Sequence, residues 1–163
     1  MKRTRTSKSW MSEHISDSFV KQAQIDGYRS RAAYKLIDIN EKYNLFKKNM
    51  VVVDLGSAPG SWSQVAINKI GLKGKLFALD LLEMEPIKDV DFIQGDFRND
   101  EVLIEIENKL NNLKVDLVIS DMAPNISGIK VVDQSAIIHL NELALEFSCN
   151  WLKPNGNLLV KSF

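Results

Sequence analysis

Five short apolar runs constrain this chain more than any other feature of it. VVVDLG (51–56), KLFALDL (75–81), VDFIQGD (90–96), VDLVISD (115–121) and NLLVKSF (157–163) hold consecutive apolar residues rather than an alternating pattern. A strand that is apolar on both sides must be covered on both faces, which is the situation in a parallel sheet. Helical periodicity occupies the gaps. The spacing predicts helices over Trp62 to Ile70, over Glu101 to Leu110 with Leu103, Ile106 and Leu110 inward, and over Gln134 to Cys149, with Asp133 placed to cap the last. Lys153–Gly156, KPNG, reads as a turn. Alternating strands and helices predict an α/β domain with a doubly wound, mainly parallel sheet.

Ahead of the first strand the pattern is helical. Met11, Ile15, Phe19, Val20 and Ala23 share a helical spacing within 10–25, and Gly27 interrupts it. A second helix is expected from Ser30 to Tyr43, with Ala33, Leu36, Ile37 and Asn40 on one side. The expected organisation is a single domain over 1–163. It comprises a disordered basic tail (1–9), a basic helical segment (10–48) and the α/β core (50–163).

The formal net charge is zero, but the distribution is uneven. Residues 1–48 hold 11 Lys and Arg against 5 Asp and Glu, and the remainder holds 10 against 16. The excess is either a solvated basic face or a surface for a polyanion. The single cysteine, Cys149, excludes a disulfide framework within the chain and fits a reducing, cytoplasmic compartment. No apolar run is long enough to span a membrane, and MKRTRTSKSW lacks the apolar stretch of a secretory signal.

In open α/β sheets, ligands sit at the carboxyl ends of the strands. Four of the five runs end in or near an acid: Asp54, Asp80, Asp96 and Asp121. Any one of them could merely cap the next helix. Together with the loop DLGSAPGSW (54–62) they describe a site. Gly56 and Gly60 allow backbone to approach a ligand, and the helix that follows offers N–H groups to an anion. Pro59 removes a donor that a diphosphate would use, so a single carboxylate fits better and a nicotinamide-dependent dehydrogenase is disfavoured. Asp80 is placed to accept both hydroxyls of a ribose, and Asp96 an exocyclic amine such as that of adenine. Carboxylate, ribose and adenine together describe S-adenosylmethionine (SAM).

Lys161 stands out within LLVKSF (158–163), because burying an ammonium is costly unless it is paired or deprotonated. Parallel pairing of the fourth and fifth strands would set it beside Asp121. Lys35, in RSRAAYKL (29–36), reads by periodicity as a solvated helix lysine. His14 and His139 lie on separate expected helices and read as structural, and no clustered His and Cys set suggests a metal.

These stretches, with SDMAPNISG (120–128) and DLLEMEPI (80–87), resemble the FtsJ/RrmJ family of ribosomal RNA 2′-O-methyltransferases from about Trp10 to the end. Within the family the resemblance is to bacterial large-subunit enzymes that methylate a uridine in the A loop of 23S rRNA. It implies a Rossmann-like SAM-dependent fold and a Lys-Asp-Lys-Glu tetrad. By motif, the first three members fall on Lys35, Asp121 and Lys161. The SAM contacts fall on Gly60, Trp62, Asp80, Asp96 and Asp121. The resemblance thus moves Lys35 from the surface into the expected site, with Lys161 as general base. A lysine takes a proton from a 2′-hydroxyl only as the neutral amine, which burial or a neighbouring cation favours.

Large-subunit rRNA in the assembled 50S particle is then the expected partner of a monomeric, metal-free enzyme. Lys2, Arg3, Arg5, Lys8, Arg29, Arg31, Lys47 and Lys48 would track its phosphates, and SDMAPNISG would hold the splayed nucleotide. Two departures from the family pattern are visible. Ser61 stands where the family more often has glycine, with little damage expected if its φ is negative. The tetrad glutamate and the closing antiparallel strands would lie beyond Phe163, so the chain reads as a C-terminal truncation or fragment that binds SAM weakly and turns over poorly. A 2′-O-methyltransferase acting on tRNA or another RNA, and a SAM- or RNA-binding module without catalysis, are the competing readings.

Overall fold

A computed structural model describes residues 18–162. Residues 18–25 are helical (α1). After them come α2 (Ala32–Tyr43), β1 (Val51–Leu55), α3 (Ser61–Ile70), β2 (Lys75–Asp80), β3 (Val90–Gln94), α4 (Asp100–Leu110), β4 (Val115–Ser120), α5 (Lys130–Trp151) and β5 (Leu152–Val160). The strands form one sheet in the order β3-β2-β1-β4-β5, with every pair parallel. Among the described residues no antiparallel strand closes it.

Successive side chains of a strand point to opposite faces, so each apolar run feeds two cores. Val51, Val53 and Leu55 of β1 pack with Ile106 and Leu110 of α4 and with Ala144 and Phe147 of α5. On the other face Val52 packs with Leu36 of α2 and with Val65, Ala66 and Ile70 of α3. Leu36, Leu55, Ile70, Ile106 and Leu110 are fully buried, each worth about 1.5–3 kcal/mol of transfer free energy. Only the central strand β1 is buried at every position. In β3, at an edge of the sheet, Ile93 alone is buried. At the other edge Leu158, Leu159 and Val160 of β5 are half-buried.

The element boundaries differ from the expectation in physically readable ways. α2 begins at Ala32, buries Ala33 and Leu36, and turns Asn40 inward, where its side-chain oxygen accepts the Phe46 N–H at 2.9 Å. The expected 10–25 helix lies partly outside the described residues. Within 18–25 Ala23 is buried, but Phe19 and Val20 are 48% and 41% exposed. α5 starts at Lys130, a turn earlier than expected, because Val131 and Val132 face outward and give no inward periodicity. Asp133 therefore sits inside its first turn. From there its carboxylate accepts from Ser127 N at 2.8 Å, Ser127 Oγ at 2.7 Å and Gly128 N at 3.1 Å. KPNG is a bulge within β5 rather than a turn before it. Leu152 pairs with Val115 and Asn157 with Leu117, and the intervening residues are extra on one side. No helix among the described residues is long and apolar enough to cross a membrane.

Asp54 corrects the strand-end reading. It occupies the α3 side of β1, fully buried, where Ser63 Oγ donates to its Oδ2 at 2.6 Å and its Oδ1 has no hydrogen-bond partner. Burial pushes its carboxyl up to about 7, and the charges of Asp121 and Asp80 add to the rise against the Ser63 hydrogen bond. The folded state thus holds a proton that the unfolded chain releases near pH 4 (roughly). The stability this contributes is full below that pH and is lost as pH rises through about 7. The Tm of the parent is expected to fall between about pH 5 and about pH 8, and that of Asp54→Asn to fall less. Equal falls in thermal melts of the two would contradict this account.

Candidate functional site

The site lies where the sheet reverses its strand order. From β1 the chain steps outward to β2 and β3, then returns to place β4 on the other side of β1. The loops after β1 and β4 therefore diverge above adjacent strands and leave a crevice. Their roots are stitched together by backbone. Gly56 N and Ser57 N donate to Leu79 O at 2.8 and 3.1 Å, and Asp121 N donates to Leu55 O at 3.1 Å. Gly56 has φ +78°, and a Cβ there would stand 2.8 Å from the Met122 backbone. The two loops touch only because that Cβ is missing.

A cavity of about 590 Å³ opens at these strand ends, lined by residues from the loops after β1 to β4 and by one face of α5. Asp80 and Asp96 stand in its wall. Asp80 Oδ2 accepts from Ala58 N at 2.9 Å and Oδ1 from Leu82 N at 2.8 Å. The carboxylate is thus fixed, and each oxygen keeps a lone pair for a further donor. Asp96 is gripped by Arg98, whose Nε lies 2.9 Å from Oδ1 and Nη2 2.6 Å from Oδ2. Hydrogen bonds from Arg98 hold the Asp96 carboxyl below the usual range, so it is an acceptor at neutral pH. Leu79, Phe97, Met122 and Leu140 add apolar wall to the same cavity. Ser57, between two lining residues, buries a hydroxyl that has no hydrogen-bond partner. Fixed acceptors, an apolar slot and a close-approach glycine fit an adenine nucleoside bearing an amino-acid tail, the chemistry of SAM.

Asp121 lines the same cavity, and its Oδ1 lies 2.7 Å from Lys161 Nζ. The pairing of Ser120 with Val160 and a bond from Lys161 N to Ser120 O at 2.9 Å bring them side by side, as the sequence predicts. The expected burial of Lys161 does not occur. It leaves the sheet one residue past β5, and its side chain is 41% exposed. An ion pair rather than a dry pocket places this ammonium.

The remaining expected residues are distributed unevenly. Lys35 is exposed on α2 and is not part of the cavity wall. Trp62 turns away from the cavity: it is 5% exposed, packs against α2 and donates its indole N–H to Ala32 O at 2.9 Å. Gly60 is the N-cap of α3 with φ +110°, behind the lining residues Gly56 and Ala58. Ser61 is the first residue of α3, and its Oγ lies 2.8 Å from Ser30 Oγ, so the serine gains a partner that a glycine would lack. Arg31, Lys47 and Lys48 are exposed; Lys2, Arg3, Arg5, Lys8 and His14 lie outside the described residues.

His139 corrects its structural reading. It is exposed, and with Ala136 and Leu140 it forms the α5 side of the cavity. The i, i+3, i+4 spacing of these three residues within the expected helix was the signal available. Phe97, Arg98 and Met122 also line the cavity unforeseen, each one or two residues past a recognised acid. Among the described residues no group of three or more His, Cys, Asp or Glu is placed to hold a metal ion.

Comparisons with known proteins agree with this geometry. Residues 28–163 match the family described as FtsJ-like methyltransferase. The chain is 62% identical to ribosomal RNA large subunit methyltransferase E of Methylobacillus flagellatus over 163 residues, which is 100% of this chain and 79% of that protein. It is 61% identical to the protein of the same name from Nitrosospira multiformis, with the same coverage. A crystal structure of a ribosomal RNA methyltransferase from Plasmodium falciparum superposes with a TM-score of 0.76 at 35% identity, over 82% of this chain and 77% of that one.

Gly56 provides a direct check on the cavity. An added methyl would strike the Met122 backbone from a left-handed position that L residues rarely adopt. Gly56→Ala is expected to lower stability by about 1–3 kcal/mol and to weaken SAM binding more than tenfold (roughly). Chemical denaturation and calorimetric titration measure the two. SAM affinity equal to the parent's would place the ligand elsewhere.

Proposed function

This chain belongs to the FtsJ-like methyltransferase family, and from that premise we propose that it transfers a methyl group from SAM to the 2′-hydroxyl of a uridine in large-subunit rRNA. The observation that carries the reading is the Lys161–Asp121 ion pair at the wall of the cavity that also holds Asp80 and Asp96. When bound, SAM supplies an electrophilic methyl group on a cationic sulfur. Asp80 takes the ribose hydroxyls, and Asp96, kept ionised by Arg98, takes an amine at the far end of the apolar slot. The loop before α3, through Gly56 and Ala58 in the cavity wall, would lie against the amino-acid tail.

Lys161 accepts the proton of the attacking 2′-hydroxyl after its ammonium has released a proton to solvent, and Asp121 holds its Nζ in place for that task. Only the neutral amine takes a proton. Lys35, exposed on α2 and outside the cavity wall, is assigned to the reaction by the family motif alone. A hydroxyl nucleophile itself selects RNA over DNA. The names of the relatives favour large-subunit rRNA, and the assembled 50S particle is the proposed form of it. The exposed Arg31, Lys47 and Lys48 supply phosphate contacts, which makes binding fall steeply with salt.

Labelled methyl transfer from SAM to undermethylated large subunits tests the reading, with the parent beside Lys161→Ala. The variant is expected to lose about 10²–10⁴-fold in rate, with SAM affinity unchanged by calorimetry. Transfer by Lys161→Ala at the parental rate would remove the lysine from its role. SAM binding without any transfer by the parent would leave a binding module.

A further inference from the structure

The basic segment before α2 is fastened to the cofactor loops by one arginine. Arg29 Nη1 donates to Pro59 O at 2.9 Å and to Glu85 O at 2.6 Å, and Nη2 donates to Pro86 O at 3.0 Å. Pro59 belongs to the loop after β1, while Glu85 and Pro86 belong to the loop after β2 that begins next to Asp80. A single guanidinium thus bridges the two loops that frame the ribose end of the cavity. Its own backbone is held as well: Arg29 N donates to Gln64 Oε1 at 2.9 Å, and Gln64 Nε2 donates to Gly27 O at 3.0 Å. The clasp also explains Gly60, where a Cβ would stand 2.9 Å from Arg29 Nη1 and 2.9 Å from Ile87 Cδ1.

The sequence suggested phosphate tracking for Arg29, but three of the five N–H donors of its guanidinium serve loop carbonyls and fix the orientation of the fork. We propose that Arg29 is a positioning residue that sets the distance between the glycine loop and the Asp80 loop, and thereby the affinity for SAM. A lysine cannot replace it, because an ammonium is a point donor without the planar fork that spans two loops. The proposal rests on the reading that this cavity takes SAM.

The test compares the parent with Arg29→Lys and Arg29→Ala. Hydrogen exchange of the Ser57–Trp62 amides, without ligand, is expected to be faster in both variants. SAM affinity by calorimetry and KM for SAM are expected to weaken about tenfold in both. The kcat at saturating SAM is expected to stay within about threefold of the parent. The dependence of RNA binding on salt is expected to be unchanged. Protected loop amides and parental SAM affinity in Arg29→Lys would overturn the proposal. So would a salt slope lowered by about one in Arg29→Ala with SAM affinity intact, which is the mark of a lost phosphate contact. A drop in Tm with no change in SAM affinity at temperatures where the variants are folded would overturn it too, leaving Arg29 a role in stability alone. If the parent binds no SAM, the reading of the cavity fails by itself, and the exchange rates still decide whether Arg29 holds the loops.

Discussion

Everything at the site depends on the direct pairing of β1 with β4. Val52 to Leu55 lie in register with Leu117 to Ser120, although α3, β2, β3 and α4 separate them in sequence. That pairing puts the strand reversal between two adjacent strands and lets the loops above them part. It also delivers Asp121 to the cavity wall and, through the next pairing, Lys161 to Asp121. The price of bringing the loops so close falls on Gly56, which has to be glycine where Met122 crosses it.

The positions of the chemistry follow from strand ends, and those were legible. A continuous apolar run ending in an acid marks both a buried strand and the point where the chain leaves the sheet. Asp80, Asp96 and Asp121 were readable for that reason, and the structure places all three in one wall. Lys161 beside Asp121 was readable because adjacent parallel strands that end at the same level bring their terminal residues together. The roles of these residues drew on a family resemblance, since spacing alone left each acid free to be a cap and Lys35 free to be a surface residue.

What the sequence concealed has physical causes. Asp54 follows the same strand-end rule as the others, yet it lies before the end of β1 on the α3 face, and side-chain alternation buries it. Periodicity cannot show which of two faces a polar residue takes when the run is apolar on both. The start of α5 was hidden because its first turn projects valines outward, and the place of His139 was hidden because periodicity does not mark which face of a helix borders a cavity. Trp62, in the glycine loop, uses its side chain to anchor α2, which its place beside the glycines did not show. The Arg29 clasp was invisible for a different reason: its three acceptors are backbone carbonyls, which carry no residue signature.

The central claim is that the methyl group goes to a ribose hydroxyl. Alkali cleaves RNA through attack by a free 2′-hydroxyl, so a 2′-O-methylated nucleotide protects the bond that follows it. The decisive measurement is alkaline hydrolysis of large-subunit rRNA labelled by this enzyme from SAM, followed by separation of the products. The account predicts that the label appears in an alkali-resistant dinucleotide whose first base is uracil. Label recovered in mononucleotides would mean methylation of a base and would contradict it.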